Sequence, residues 1–279
     1  MTIRIVTDST CDLPAEIIQK YDISVIPLYI NVGTQGYLDG VDITRQEFYQ
    51  KLPVFPTQPT TAVPSAQKFH SVYTALADEG ATDVLSIHIS TSLSAIHNVA
   101  EVAAREVTTT RVTVVDARQL SLGTGFLVEL AARLAAAGHT LEQILAALNE
   151  QIKRTHVFAA LDTLEYLRRS GRMNRFLANF GTMLQIKPIL KMHDGKPETE
   201  KVRTRERALQ RVVDILRALG PLERLAIVHT NAHERVAQLR ALAADLLPTE
   251  DIWTMDITPV IGAHIGPGAV GFSVVTAQT

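Results

Sequence analysis

The segment Asp83–Ala104 (DVLSIHISTSLSAIHNVAEVAA) is the sequence feature that most constrains the fold. Val84–Ile89 is apolar and rich in β-branched residues, which predicts a buried strand. This strand runs directly into the hydroxyl-rich Ser90–Ser94, after which apolar residues recur at helical spacing. The sequence therefore predicts a strand, a serine-rich turn and a helix in immediate succession.

The start of this helix is a candidate anion site. The first amides of a helix lack intrahelical acceptors, and the helix dipole adds partial positive charge at the same end. Ser90, Ser92 and Ser94 add hydroxyl groups, and no Lys or Arg lies between Asp83 and Glu101. This composition favours one carboxylate or phosphate group over a polyphosphate. Ordinary helix capping explains the same residues, so the segment alone leaves both interpretations open.

Composition limits the classes of partner. The chain has 279 residues, 46% of them hydrophobic, which is long enough for two domains of ordinary size. A net charge of −2 gives no general attraction for nucleic acid or for anionic membranes. The sequence shows neither an apolar run of membrane-spanning length nor a secretory signal, so we expect a cytoplasmic protein without an integral membrane segment.

Metal, cofactor and nucleophile motifs do not stand out. Cys11 is the only cysteine, which excludes an intrachain disulfide, and a lone cysteine is more often core filler than a nucleophile. His229 and His233 are four residues apart but straddle a predicted strand–helix junction, which does not favour a zinc site. The sequence lacks a nucleophile elbow, a Walker A motif and a strand-bound dinucleotide fingerprint. We expect no metal and no cofactor.

Strands alternate with helices through the first half, which predicts a domain over residues 1–155 with a mostly parallel sheet. Ligands of such sheets bind beyond the carboxyl ends of the strands. Within this half, Ser24–Ile30 is predicted to be one strand. The proline-rich Leu52–Ser65 is predicted to be a rigid loop that carries Thr60 and Thr61.

The second half, residues 156–279, predicts a further α/β domain with a mixed sheet. Ile186–Lys191 and Thr199–Val202 flank an Asp-Gly turn and predict a hairpin. A helix is expected from about His233 to Leu247, and Gly262–Gly268 is expected to be a glycine-rich loop that contains His264. An apolar stripe at helical spacing either belongs to the core or lines an apolar tunnel. It consists of Phe176, Leu177, Phe180, Met183 and Leu184.

Several short motifs, each weak alone, together resemble the DegV family, the fatty-acid-binding subunits of bacterial fatty acid kinases. Their joint order is specific, and the resemblance extends essentially from end to end. The motifs are Thr7-Asp8-Ser9-Thr10 with Asp12-Leu13-Pro14, Asp39-Gly40-Val41-Asp42-Ile43, Pro59-Thr60-Thr61 with Pro64-Ser65, Ser86-Ile87-His88-Ile89-Ser90 with Leu93-Ser94, Asp162-Thr163-Leu164-Glu165-Tyr166-Leu167 with Gly171-Arg172, Ile186-Lys187-Pro188-Ile189-Leu190, Val202-Arg203-Thr204-Arg205, and Pro259-Val260-Ile261-Gly262 with His264 and Gly266-Pro267-Gly268.

The resemblance implies two α/β domains with a long-chain fatty acid buried in the cleft between them. It places the fatty-acid carboxylate on Thr61 and Ser94, with His264 nearby. It also implies that Arg172 and Arg203 provide positive charge where phosphoryl transfer occurs.

The chain departs from the usual family pattern around this site. Ser92 and Ala95 stand where the family commonly has glycine, and Ala62 and Val63 stand where it commonly has Ser-Gln. We include the Ser92 side chain and the Ala95 amide among the expected carboxylate contacts.

By resemblance, the protein is not itself a catalyst. It would present the carboxylate to the catalytic subunit of a fatty acid kinase, which makes an acyl phosphate with ATP. Two alternatives remain at this point: a sensor of a lipid or small carboxylate that works without a kinase, and a serine hydrolase that uses Ser94 with His264 as the base. The hydrolase also needs an acidic orienter and an oxyanion hole, and the sequence identifies neither.

Overall fold

The computed structural model describes residues 2–176 and 186–278. Helices and strands alternate along both halves of the chain. The strands of the first half are β1 (Ile3–Asp8), β2 (Ser24–Ile26), β3 (Tyr29–Val32), β4 (Gln35–Leu38), β5 (Thr60–Ala62), β6 (Asp83–His88) and β7 (Arg111–Asp116). Its helices are α1 (Ala15–Lys20), α2 (Arg45–Lys51), α3 (Ala66–Asp78), α4 (Ile96–Glu106), α5 (Leu122–Ala136) and α6 (Leu141–Arg154).

The second half has six described strands and five described helices. The strands are β8 (Thr155–Ala160), β9 (Lys187–His193), β10 (Lys196–Val202), β11 (Leu222–His229), β12 (Thr254–Asp256) and β13 (Val270–Thr276). The helices are α7 (Glu165–Arg169), α8 (Met173–Phe176), α9 (Arg205–Ala218), α10 (His233–Leu242) and α11 (Pro259–Ile265).

Three sheets organise the described chain. A parallel four-stranded sheet has the order β2-β1-β6-β7, and a small antiparallel sheet has the order β4-β3-β5. A mixed six-stranded sheet has the order β10-β9-β8-β13-β11-β12, and only its β11–β12 pair is parallel. This confirms the α/β fold class, with a parallel sheet in the N-terminal part and a mixed sheet in the C-terminal part.

One large hydrophobic cluster joins side chains from both halves. It includes Val6 and Phe48 from the first half and Leu161, Val228 and Ile261 from the second. Separate clusters pack α5 and α6 against the parallel sheet, and α9 and α10 against the mixed sheet. The parallel sheet therefore has helices on both faces, with α3 and α4 in the shared cluster and α5 and α6 in the second cluster.

Local signals define several element ends. Thr44 with Glu47, and Thr140 with Gln143, form capping boxes at the starts of α2 and α6. The predicted hairpin is also confirmed, because β9 and β10 pair in antiparallel register around Asp194-Gly195.

Two predictions in the first half were wrong. Ser24–Ile30 is not one strand: β2 belongs to the parallel sheet and β3 to the small sheet, and Pro27, which has no amide hydrogen, separates them. The proline-rich segment is not without regular structure, since β5 lies within it and pairs with β3. A three-residue strand is too short to show a period in the sequence.

Two further predictions, in the second half, also required correction. The segment before Gly266 is not a loop but helix α11, because Thr258 caps its start and Pro259 occupies its first turn. Helix α10 ends at Leu242 rather than at Leu247. Of the apolar stripe, Leu177, Phe180, Met183 and Leu184 lie outside the described residues.

Candidate ligand-binding site

A largely apolar cavity of about 440 Å³ lies between strands of the mixed sheet and the segments that follow the strands of the parallel sheet. This volume falls in the range of small-molecule sites. Its described polar lining residues are Thr10, Thr61, Ser94, Ser121, Arg172, Lys191 and His264. Its described apolar lining residues are Leu28, Ala62, Val63, Ile89, Leu93, Ala95, Leu120, Val157, Ala159, Leu161, Leu167, Phe176, Leu190, Met192, Val228, Ile257, Val260, Ile261 and Ile265.

The serine-rich turn connects β6 to α4 at the carboxyl edge of the parallel sheet. Its first amide, that of Ser90, donates to the carbonyl of Gln119 at 2.9 Å, and the amide of Ser94 donates to the carbonyl of Ser90 at 3.0 Å. Ser94 Oγ accepts a hydrogen bond of 3.3 Å from the amide of Ile96, the first residue of α4. Ser94 therefore lies just before a helix, as the sequence predicts, and it lines the cavity.

Thr61 and His264 meet across the cavity wall. Thr61 lies on β5 and His264 on α11, and Thr61 Oγ1 is 2.9 Å from His264 Nε2. Both side chains are partly buried. This contact brings together two predicted site residues that are 203 positions apart in the chain.

The other predicted residues divide into two groups. Arg172 and Ala95 line the cavity, and the guanidinium of Arg172 donates to the carbonyl of Ser170 at 2.8 Å. Ser92 and Arg203 are not among the described lining residues: Ser92 Oγ is 2.9 Å from Ser90 Oγ within the turn, and Arg203 is exposed.

A buried hydrogen-bonded chain lies directly behind the serine-rich turn. His88 Nδ1 donates to Asp8 at 2.8 Å, and His88 Nε2 is 2.7 Å from Ser86 Oγ, to which Tyr73 donates at 2.8 Å. The side chains of Asp8 and His88 have no solvent exposure, and Ser86 is also fully buried. This hydrogen-bonded network combines serine, histidine and aspartate, but its burial closes it to substrate and gives it a structural role.

A second buried polar cluster joins the two halves of the chain. Asp12 accepts hydrogen bonds from Ser121 Oγ at 2.5 Å and from the amide of Thr258 at 2.9 Å, and it pairs with Arg45 at 3.1 Å. Thr258 Oγ1 donates to the buried Asp39. Burial raises the pKa of Asp12 to about 6, while Arg45 and the two hydrogen bonds oppose that rise. Burial also raises the pKa of Asp39.

Sequence reasoning missed these two buried clusters. Asp8 and Asp12 belong to a motif that carries the family resemblance, but their partners lie about 80 and 246 positions away. No local spacing reveals such contacts. Cys11 lies between the two aspartates and is buried, and burial raises its thiol pKa to about 12, which disfavours a nucleophilic thiolate.

The described residues also limit other assignments. None of their helices is both long and apolar enough to cross a bilayer. Over the same part of the chain, no three His, Cys, Asp or Glu side chains are grouped so that they could hold a metal ion.

Together, the fold and the cavity define an α/β protein with a largely apolar cavity beside its mixed sheet. A family model described as an uncharacterised protein of the DegV family matches residues 2–277. The chain belongs to the DegV family, which confirms the resemblance seen in the sequence. A DegV domain-containing protein of Streptomyces coelicolor is 36% identical over 277 residues, which cover 96% of each chain. One of Caldanaerobacter subterraneus is 34% identical over 273 residues, covering 96% of this chain and 97% of the relative.

Solved structures of relatives match the whole fold. A DegV family protein from Thermus thermophilus, described as binding fatty acid, has a TM-score of 0.89 and 36% identity, and the match covers 99% of this chain and 100% of that one. DegV from Bacillus subtilis, described as a fatty acid binding protein, has a TM-score of 0.91 and 29% identity, with the same coverage. Fatty-acid binding is therefore established for structurally characterised members of the family.

Proposed function

We propose that this protein binds a long-chain fatty acid and presents its carboxylate to a separate ATP-dependent kinase, which converts it to an acyl phosphate. The observation that carries the proposal is the Thr61–His264 contact on the wall of an otherwise largely apolar cavity. An acyl chain needs an apolar cavity, and a carboxylate needs a few well-placed donors. The fatty-acid-binding relatives from Thermus thermophilus and Bacillus subtilis support the same class of ligand.

The acyl chain supplies most of the binding energy in this proposal. Each buried methylene contributes roughly 0.8 kcal/mol. A long acyl chain is therefore bound strongly even when the contacts to its carboxylate are weak. The carboxylate end can then be exchanged between the binding protein and a kinase.

The proposed carboxylate contacts are Thr61, Ser94 and His264, together with Ser92 and the amide of Ala95. Thr61, Ser94 and Ala95 line the cavity, and Ala95 immediately precedes the first turn of α4. Donors at this position favour an anion because the amino terminus of α4 adds partial positive charge. The described contacts of Ser94 Oγ with Ile96 and of His264 Nε2 with Thr61 do not form a nucleophile–base pair, which disfavours a serine hydrolase.

The proposed partner-facing residues are Arg172 and Arg203. Arg172 lines the cavity, where it could reach a bound ligand, and Arg203 is exposed, where a partner could reach it. Guanidinium groups stabilise the charge of a phosphoryl group during its transfer. In this account the binding protein performs no catalysis, and the complex acts in the cytoplasm, where ATP is available.

We further propose a division into two domains, residues 1–155 and 156–279. All strands of the parallel and small sheets precede residue 117, and the mixed sheet begins with β8 at Thr155. The cavity, with lining residues from both parts, would then lie in an inter-domain cleft.

Acyl-phosphate formation tests the proposed function. Purified protein is loaded with oleic acid and mixed with ATP and the catalytic subunit of a bacterial fatty acid kinase, and the acyl phosphate is trapped with hydroxylamine. We expect acyl hydroxamate that depends on all three components. Tight oleate binding without any product, for each kinase encoded in the same genome, would instead favour a lipid sensor.

A further inference from the structure

The loop Asp8–Asp12 places two buried carboxylates between elements that come from distant parts of the chain. The side chains of Asp8 and Asp12 have no solvent exposure, and neither residue is among the described lining residues of the cavity. Their contacts reach Ile89, which precedes the serine-rich turn, Ser121, which precedes α5, and Thr258, which caps helix α11. These contacts involve elements that also carry the proposed ligand contacts.

Asp8 fixes the start of the serine-rich turn. Its Oδ2 accepts from His88 Nδ1 at 2.8 Å and from the amide of Ile89 at 3.4 Å, and its Oδ1 accepts from Thr10 Oγ1 at 2.5 Å. His88 is held on its other ring nitrogen by Ser86. The backbone that leads into Ser90–Ser94 is therefore anchored to a buried carboxylate.

Asp12 fixes the start of helix α11. It accepts from the amide of Thr258, whose hydroxyl donates to Asp39 and also accepts from the amide of Val260 at 3.4 Å. Two more side chains of the first half hold the same segment: Tyr49 OH donates to the carbonyl of Ile257 at 2.8 Å, and Arg45 donates to the carbonyl of Asp256. Helix α11, which carries His264, is thus seated on the first half of the chain.

Asp12 also holds a strained backbone at the cavity wall. Ser121, which donates to Asp12 and lines the cavity, has φ 51° and ψ −142°, and Asp12 itself has φ 54°. Aspartate adopts the left-handed conformation of Asp12 more readily than most residues, whereas the conformation of Ser121 lies outside that region and persists only where its surroundings over-determine it. The strain indicates that this cluster is built to hold one geometry.

We propose that Asp8 and Asp12 are positioning residues that align Ser94 and His264 with Thr61 for the fatty-acid carboxylate. This inference rests on the proposed function. A buried carboxylate is suited to the task because its hydrogen bonds are stronger than those of neutral acceptors. Neither residue touches the ligand in this account.

The charged and titratable groups around Asp12 fit such a role. Asp8, Cys11, Asp39, Tyr49 and Arg45 all act on this cluster, and Arg45 is its cation. Replacing Asp12 by Asn removes the negative charge opposite Arg45 and turns an acceptor into a group that is also a donor. We therefore expect Asp12→Asn to shift helix α11 rather than to leave a cavity at position 12.

The test compares Asp12→Asn with Asp78→Asn, which makes the same chemical change on the exposed end of α3. Binding of cis-parinaric acid, a fluorescent C18 fatty acid, is titrated for both variants and the wild type. We expect about tenfold weaker binding for Asp12→Asn, as for the loss of one well-placed hydrogen bond, and no change for Asp78→Asn. Near-ultraviolet circular dichroism of Trp253, which is stacked on Phe126, verifies that the variants are folded.

A double-mutant cycle separates positioning from general destabilisation. If Asp12 acts through His264, adding Asp12→Asn to His264→Ala should weaken binding by less than about twofold. An equal loss in both backgrounds, or wild-type affinity for Asp12→Asn, would overturn the proposal. If Asp12→Asn does not fold, Thr258→Val, which removes the hydroxyl that joins Asp39 to α11, should give the same non-additive pattern. A wild-type protein that binds no cis-parinaric acid would overturn the proposed function, and this inference with it.

Discussion

Thr61 Oγ1 lies 2.9 Å from His264 Nε2, which joins a three-residue strand of the first half to a seven-residue helix of the second half on the wall of one cavity. Neither element is long enough to define its own position. Strand β5 depends on its pairing with β3, and α11 depends on the buried contacts of Thr258. The polar part of the cavity is therefore a product of tertiary packing.

Replacing Thr61 by Val should weaken binding of oleic acid by about tenfold, because Val keeps the shape but removes a hydroxyl in the proposed carboxylate site. Thr60→Val is the matched control, since Thr60 is exposed on the same strand. Displacement of cis-parinaric acid measures affinity, and calorimetry verifies that the melting temperature changes little. Equal oleate affinity of both variants would show that Thr61 does not contact the carboxylate.

Replacing Arg172 by Ala should leave oleate binding nearly intact and depress acyl-phosphate formation with the kinase. The proposed role of Arg172 is to neutralise charge on the transferring phosphoryl group rather than to hold the acyl chain. Arg105→Ala, on the exposed face of α4, serves as the control. Loss of binding with normal turnover per bound lipid would contradict this role.

The stability contribution of Asp12 should depend on pH. Its folded-state pKa, about 6, lies above its ordinary value of 3.8. The contribution is therefore fully present below pH 3.8 and is lost as the pH rises through about 6, by an amount on the order of 3 kcal/mol. The raised pKa of Asp39 acts in the same direction.

Urea unfolding of the wild type and Asp12→Asn at about pH 5 and about pH 7.5 tests this dependence. The difference in unfolding free energy between the two proteins should shift in favour of the wild type at the lower pH. A difference that does not vary with pH would show that Asp12 titrates in the ordinary range.

Replacing Gly262 by Ala should destabilise the protein by about 1–3 kcal/mol, because the added methyl group would clash with the hydroxyl of Tyr49. Tyr49 is fully enclosed and holds the carbonyl of Ile257, so it cannot move aside freely. Gly36→Ala is the control: its methyl group would meet only the side-chain oxygen of Asn31, at 3.2 Å. Similar urea midpoints for both variants would show that α11 packs less tightly on α2 than described.

Long, strongly patterned elements were predictable from the sequence. The buried strand β6 and the serine-rich turn carry their signal within one continuous segment, and the capping residues Thr44 and Thr140 mark helix starts through local hydrogen bonds. The resemblance to the DegV family added the cavity residues Thr61 and His264, which no local pattern links.

Features that depend on distant contacts were not predictable in the same way. Gly262 within Gly262–Gly268 suggested a loop, yet glycine is needed there because Tyr49 packs against the helix. The roles of Asp8 and Asp12 were hidden for the same reason, since their partners His88 and Thr258 lie in other elements. Tertiary packing, rather than propensity, decides such positions.

The most direct measurement is mass spectrometry of lipid extracted under denaturing conditions from purified wild-type protein and from a Thr61→Ala/Ser94→Ala double variant. We expect stoichiometric long-chain fatty acid in the wild type and its loss in the double variant. The absence of fatty acid from both proteins would contradict the proposed ligand, and equal amounts in both would show that its carboxylate is held elsewhere.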